Sequence, residues 1–254
     1  MGNAVGAKTA SRSRRWLFAG IGFGAVVAAA AVVIAVYAGT RLEAPSFPSL
    51  AEQPDASLQG TVAYIGPGDD GGWCVHLASA SGEIRRRLPV CASPNTHLVE
   101  QLSWTDGQVE IVDPGQHADK EKGWEERAPW HVLVDPATGA TTDLAVTDLP
   151  PAPDPATLAT SGGRTVRTIS KDGVVRMELA DAAGVRTVWT SKGRSNLWEV
   201  GQPAWSPDGA WLLAHDGADR LLLFTISGDT AGARVLVPKG AGGAFAIGQR
   251  MISG

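Results

Sequence analysis

Any chemistry in this chain must come from a small set of side chains, so their types and spacing come first. Five histidines, His76, His97, His117, His131 and His215, are scattered over 254 residues. None falls in an H-x-H or H-E-x-x-H frame, the spacings that put two imidazoles on one face around zinc. The stretch "DPGQHADKEKGWEERAP" gathers Asp113, His117, Asp119, Glu121, Glu125 and Glu126 around Trp124. Oxygen donors at that density suit a hard cation, but a charged, solvated loop accounts for them more simply. Asp69 and Asp70 in "GPGDDGG" lack the alternating oxygens and closing glutamate of a calcium loop, and read as a tight turn. No G-x-S-x-G elbow or phosphate-cradling glycine loop is present. Glycoside cleavage needs two carboxylates across a cleft, and too many Asp/Glu pairs qualify to choose one. The sequence therefore assigns no catalytic residue, no metal ligand and no cofactor site.

The two cysteines allow a sharper expectation. Both lie in "WCVHLASASGEIRRRLPVC". Folded as a hairpin around Gly82-Glu83, with glycine first as a type II′ turn requires, the segment brings Cys74 opposite Cys91. Counting outward from the turn makes that a non-hydrogen-bonded pair, with Cα atoms about 4.5 Å apart, at the short end of the disulfide range. Pro89 then falls where its missing N–H points away from the partner strand, as on a sheet edge. The alternatives are two unpaired thiols or a redox pair, although C-x-x-C spacing is absent. Arg85, Arg86 and Arg87 alternate along the same strand, so they form no three-charge face.

These residues need elements to hold them. From Thr61 onward the sequence shows short β-like runs parted by turn signals such as "SGE", "TDG", "PATG", "KDG" and "SPDG", and no convincing amphipathic helix. Three stretches repeat one order of strands: Gln101 to Val146, Thr157 to Ser191, and Gln202 to Val237. Gln101 and Trp104 are spaced like Gln202 and Trp205. A fourth unit, Thr61 to Val90, has only three strands, and the C-terminal "GAFAIGQRM" is available to complete it. That exchange would join the first unit to the last and remove free edges.

The turn "PAWSPDGAWLLAHDG" resembles the repeat of TolB-type, WD-like β-propellers, matched by Trp205, Ser206, Pro207, Asp208 and Gly209 and in part by Trp104, Asp106 and Gly107. The resemblance implies a small, about four-bladed or incomplete all-β propeller, with a β-sandwich-like arrangement as the alternative. It also implies a packing role for the Trp turns and a binding or scaffold role for the domain, without transferring any functional residue.

The N-terminal part sets location. Residues 16 to 38 carry no charge. At about 1.5 Å per residue they reach about 34 Å, enough for a hydrocarbon core of about 30 Å. Lys8, Arg12, Arg14 and Arg15 precede the span, which directs the tail 1–15 to the cytoplasm and the rest outward. A cleaved signal peptide is the alternative, with an apolar core longer than such segments use. Gly20 and Gly24 form a G-x-x-x-G pair that chance also explains. Residues 39–58 read as a Pro-rich linker and 59–254 as the β domain. Setting aside the five basic residues Lys8, Arg12, Arg14, Arg15 and Arg41, 17 of the 22 remain against 26 acidic ones, a net of −9. Such a surface repels nucleic acid.

The expectation is thus a single-pass, extracytoplasmic, non-catalytic propeller-like module binding an envelope protein, peptide or glycan, without a cofactor and of undetermined oligomeric state. The alternative is a propeller-fold hydrolase or lyase in the cell envelope.

Overall fold

The computed structural model describes residues 45–92, 99, 101–113, 115–119, 123–126, 129–146, 154–191, 199–242 and 244–248. The predicted span 16–38 lies outside these residues. Among those described, no helix is long and apolar enough to cross a membrane.

Strands β1 (Thr61–Pro67), β2 (Trp73–Ser79) and β3 (Arg85–Ala92) begin the first sheet. The second consists of β4 (Gln101–Thr105), β5 (Gln108–Asp113), β8 (Trp130–Val134) and β9 (Thr141–Asp143), with the hairpin β6 (Gln116–Asp119) and β7 (Gly123–Glu126) inserted after β5. The third is β10 (Thr160–Ser161), β11 (Arg164–Lys171), β12 (Val174–Asp181) and β13 (Gly184–Thr190). The fourth is β14 (Ala204–Trp205), β15 (Trp211–His215), β16 (Leu221–Ser227) and β17 (Thr230–Val237). The last strand, β18 (Phe245–Gly248), pairs antiparallel with β1, Thr61 opposite Gly248, and completes the first sheet. The result is an all-β, propeller-like set of four four-stranded antiparallel sheets. The C-terminal strand occupies the place that the strand count left open.

The turns follow from residue type. Asp106 and Gly107, with φ of 52° and 79°, form the two-residue link between β4 and β5, the positive-φ pair of a type I′ hairpin. In Ser206-Pro207-Asp208-Gly209 the Gly209 N–H donates to the Ser206 carbonyl at 2.8 Å. The Ser206 hydroxyl donates to Asp208 at 2.6 Å and accepts from the N–H groups of Ala210 and Trp211. Gly209 has φ of 69°, and any Cβ there would meet Ser161 Oγ at 2.8 Å.

Three apolar cores lie between sheets. Val75, Leu77, Val109, Ile111, Val132 and Val134 join the first sheet to the second. Val62, Tyr64, Trp211, Leu213, Leu221 and Leu223 join the first to the fourth. Val166, Met177, Leu179, Leu212, Leu222 and Phe224 join the third to the fourth. Among the described residues no apolar core joins the second sheet to the third.

Cys74 and Cys91 form a disulfide with Cα atoms 4.0 Å apart, but the hairpin reaches that pairing by a different route. The turn is not the two-residue Gly82-Glu83 loop. Ala78 pairs with Arg85, and residues 80–83 form a wider turn fastened by Ser79 Oγ, which accepts from the Ile84 N–H at 3.0 Å. This shifts the register by two, and a bulge beyond His76 and Arg87 restores it, so that Cys74 again faces Cys91. Pro89 sits in that bulge, where a missing N–H costs no ladder bond. The three arginines of β3 diverge. Arg85 donates to the Leu236 carbonyl of the fourth sheet and Arg86 to the Pro136 carbonyl of the second. Arg87 pairs with Asp69 at 3.0 Å.

The proline-rich segment is laid on the fourth sheet from Pro45 onward. Val235 donates to the Pro48 carbonyl, and the Leu50 N–H donates to the Val235 carbonyl. Leu50 is fully buried. Arg220, held by Asp216 at 2.6 Å, donates to the Pro45 carbonyl at 2.9 Å and stacks over Phe47.

Candidate functional site

Strands β18, β4, β10 and β14 each stand at one edge of their sheet. All four contribute to one cavity of about 360 Å³, within the size range of small-molecule sites. Its wall includes Ser103 and Trp104 from β4, Thr160 and Ser161 from β10, Trp205 from β14, and Phe245 from β18. Two of the tryptophans that mark the repeats are therefore part of this wall. Trp104 Nε1 donates to the Ala246 carbonyl at 3.2 Å, and Trp205 Nε1 to the Ala159 carbonyl at 3.1 Å. Each indole thus ties its strand to a neighbouring sheet while one part of it borders the cavity.

Behind Ser103 lies a polar cluster on the face of the second sheet opposite its shared apolar core. Ser103 pairs with Glu110 across β4 and β5, and Val112 pairs with His131 across β5 and β8. Ser103 Oγ donates to Glu110 Oε2 at 2.8 Å, and Thr105 Oγ1 donates to the same oxygen at 2.7 Å. His131 Nε2 lies 2.8 Å from Glu110 Oε1 and Nδ1 lies 3.4 Å from the Ala145 carbonyl. A carboxylate can only accept, so Nε2 carries the proton on that side. Glu110 is 7% exposed and His131 3%. The order Ser103, Glu110, His131 runs from the cavity wall into the protein.

The repeats show that packing does not require this cluster. Counted from the turn that closes each first hairpin, Glu110 and His131 occupy the positions of Val166 and Met177 in the third sheet. In the fourth sheet the same positions hold Leu213 and Leu221. All four counterparts are fully buried and apolar. The Ser103 position is occupied by Ala159 and Ala204. A charged pair in such a place carries a desolvation penalty that well-packed apolar residues avoid.

Burial raises the pKa of Glu110, but hydrogen bonds from Thr105, His131 and Ser103 and the charge of His131 outweigh it. The carboxyl therefore sits below the ordinary glutamate range. A depressed folded pKa means the unfolded chain binds the proton more tightly. The stabilisation is then complete above the unfolded value of about 4.3 and is lost as pH falls through the folded one. Denaturant melts across the acid range should show the stability gap between the native chain and Glu110→Gln closing as pH falls below about 4.3. A gap that stays constant to the acid end would contradict this assignment.

The other sequence candidates lie elsewhere. His76 stacks on Tyr64, with Nε2 3.1 Å from the Pro67 carbonyl, and His215 Nε2 is 2.9 Å from the Ala241 carbonyl. Asp113 is fully buried, with one oxygen accepting from the Gly115 N–H. His117, Asp119, Glu125 and Glu126 belong to the hairpin of β6 and β7, while Glu121 and His97 lie outside the described residues. Among the described residues no three His, Cys, Asp or Glu side chains are grouped to hold a metal ion. Ser103 and Glu110 stand in no catalytic motif of the sequence, and His131 stands there without a partner in spacing. The available signal was a polar residue inside an apolar strand run, "QVEIVD" and "WHVLVD", a pattern that needs a partner when both faces are covered.

No protein-family model matches the chain, and no curated protein matches it. Among solved structures the chain aligns with a protein from Lactobacillus plantarum at 13% identity, covering 70% of this chain and 52% of that one, with a TM-score of 0.22. It also aligns with the periplasmic gluconolactonase PpgL of Pseudomonas aeruginosa at 17% identity, covering 65% and 50%, with a TM-score of 0.22. The chain spans about half the length of these structures. The non-catalytic scaffold expected from the sequence is corrected here. A buried Glu–His pair behind a cavity-lining serine is an arrangement that the expectation did not contain.

Proposed function

We propose that this chain is a propeller-fold hydrolase of the cell envelope, acting on a small ester or lactone in the cavity bordered by Ser103. The observation that carries the reading is the replacement of two apolar core positions by Glu110 and His131, directly behind a serine hydroxyl. In this mechanism Ser103 Oγ attacks the carbonyl carbon while its proton passes to Glu110 Oε2. The leaving oxygen takes that proton as the acyl bond breaks. An ester's alcohol leaves at that point, whereas a lactone's stays on the acyl chain; water then attacks the acyl-serine, Glu110 accepts its proton and returns it to Ser103 Oγ, and the acid or hydroxy acid leaves. A carboxylate held below the usual range is a weak base, so proton transfer accompanies bond formation rather than preceding it. His131 does not touch the reacting atoms. It is a positioning residue that holds Glu110 Oε1, leaving Oε2 for the hydroxyls.

For location we propose a signal anchor over 16–38 with the β domain outside the cytoplasm, and repeats of the TolB kind. The basic tail before the span and the Cys74–Cys91 bridge support this, since disulfides persist in oxidising compartments.

The function is tested by acid release from a panel of small esters and lactones incubated with the full-length chain. Release should occur with the native chain and stop with Ser103→Ala. Equal release from both would remove Ser103 from the reaction, and no release from any compound would overturn the hydrolase reading.

A further inference from the structure

The cavity also carries information on what it admits, and this inference rests on the hydrolase reading. Among the described residues no Asp, Glu, Lys, Arg or His lines it. Among the described residues Arg164 is a cation next to its wall, and it already has partners. Its guanidinium lies over the Trp205 ring at 4.3 Å and donates to the Gly209 carbonyl at 2.7 Å. The anion next to the wall, Glu110, sits directly behind Ser103. A carboxylate or phosphate entering the cavity would lose its water, meet no cation among the described lining residues, and stand near a like charge screened only by partly desolvated surroundings. The wall instead offers indole and phenyl surface from Trp104, Trp205 and Phe245, and hydroxyls from Ser103, Thr157 and Ser161. Apolar rings with a few hydroxyl groups match a ligand with C–H faces and O–H edges. At about 360 Å³ the space lies near the lower limit of ligand sites, and suits one sugar-sized ring rather than an extended chain.

We propose that the substrate is an uncharged, hydroxyl-bearing ring ester or lactone, and that the cavity excludes its carboxylated and phosphorylated counterparts by charge.

The test compares ribonolactone with ribonolactone phosphate, which share ring and hydroxyls and differ in charge. Hydrolysis by the full-length chain is followed as acid release. Binding of each compound to the Ser103→Ala chain is followed by ligand-observed NMR. The neutral lactone is expected to be turned over and bound, and the phosphate to be weaker in both by about a hundredfold or more, as burying an unpaired charge implies. Equal turnover of both, abolished by Ser103→Ala, would overturn the charge exclusion and leave the hydrolase reading in place. Selective binding of the neutral lactone without turnover would support the exclusion and count against the hydrolase. Stronger binding of the phosphate, or binding of neither, would overturn the exclusion.

Discussion

The double variant Glu110→Leu, His131→Leu is expected to fold at least as stably as the native chain while losing hydrolysis by about 10²–10⁴-fold, the share that a positioned acid–base group supplies. The stability half follows from the repeats. Leucines already stand at both positions in the fourth sheet, where Leu213 and Leu221 are fully buried. Leucine is close in volume to both side chains it would replace, and swapping a buried ionic pair for packed apolar groups is commonly neutral or stabilising by about 1–4 kcal/mol. Either single change should behave differently. His131→Leu leaves Glu110 buried with only its two hydroxyl donors, and Glu110→Leu leaves His131 facing apolar surface. Breaking one side of a buried pair costs about 3–5 kcal/mol. Denaturant midpoints of the two single variants and the double variant measure the coupling, and ester turnover measures the loss. A double variant that is less stable than both single ones would show that the cluster serves the fold rather than a reaction.

The second large effect concerns closure of the first sheet onto the fourth. Trp211 is fully buried in the core that joins them, and its indole Nε1 donates to the Gln59 carbonyl at 2.9 Å. Trp211→Ala should cost about 3–5 kcal/mol from lost burial and the cavity left behind, a large part of the 5–15 kcal/mol that holds a typical domain. Trp211→Phe, which keeps most of the ring and loses the N–H, should cost about half as much or less, nearer the 1–3 kcal/mol of one unsatisfied buried carbonyl. Amide exchange should report the loss first in β1, β15 and β16, whose side chains share that core. Uniform loss across all sheets, or none, would show that this joint is not where the first and fourth sheets are held.

Much of the fold was legible because its signals are local. The turns at Asp106-Gly107 and Ser206-Pro207-Asp208-Gly209 announce themselves by residue types that accept positive φ or fasten their own backbone. The strands between them follow from apolar runs. The C-terminal strand could be placed by counting, since one unit lacked a partner for β1. The disulfide partners were legible and the path to them was not, because a wider turn and a compensating bulge cancel in register and leave no trace in the spacing. The segment from Pro45 to Leu58 has no period, so its docking through Leu50, Phe47 and Arg220 could not be read from pattern. Glu110 and His131 are separated by the β6–β7 insert and meet only through the pairing of β5 with β8. A polar residue in an apolar strand marks a position to examine, but its partner is a tertiary fact.

Mass spectrometry of the full-length chain after brief exposure to para-nitrophenyl acetate shows whether Ser103 is the nucleophile. One acetyl group is expected on the peptide containing Ser103, formed with a burst of nitrophenol. The adduct should be much reduced when Glu110 is replaced by glutamine and absent when Ser103 is replaced by alanine. An adduct on another residue, or steady turnover that Ser103→Ala leaves intact, would contradict that role.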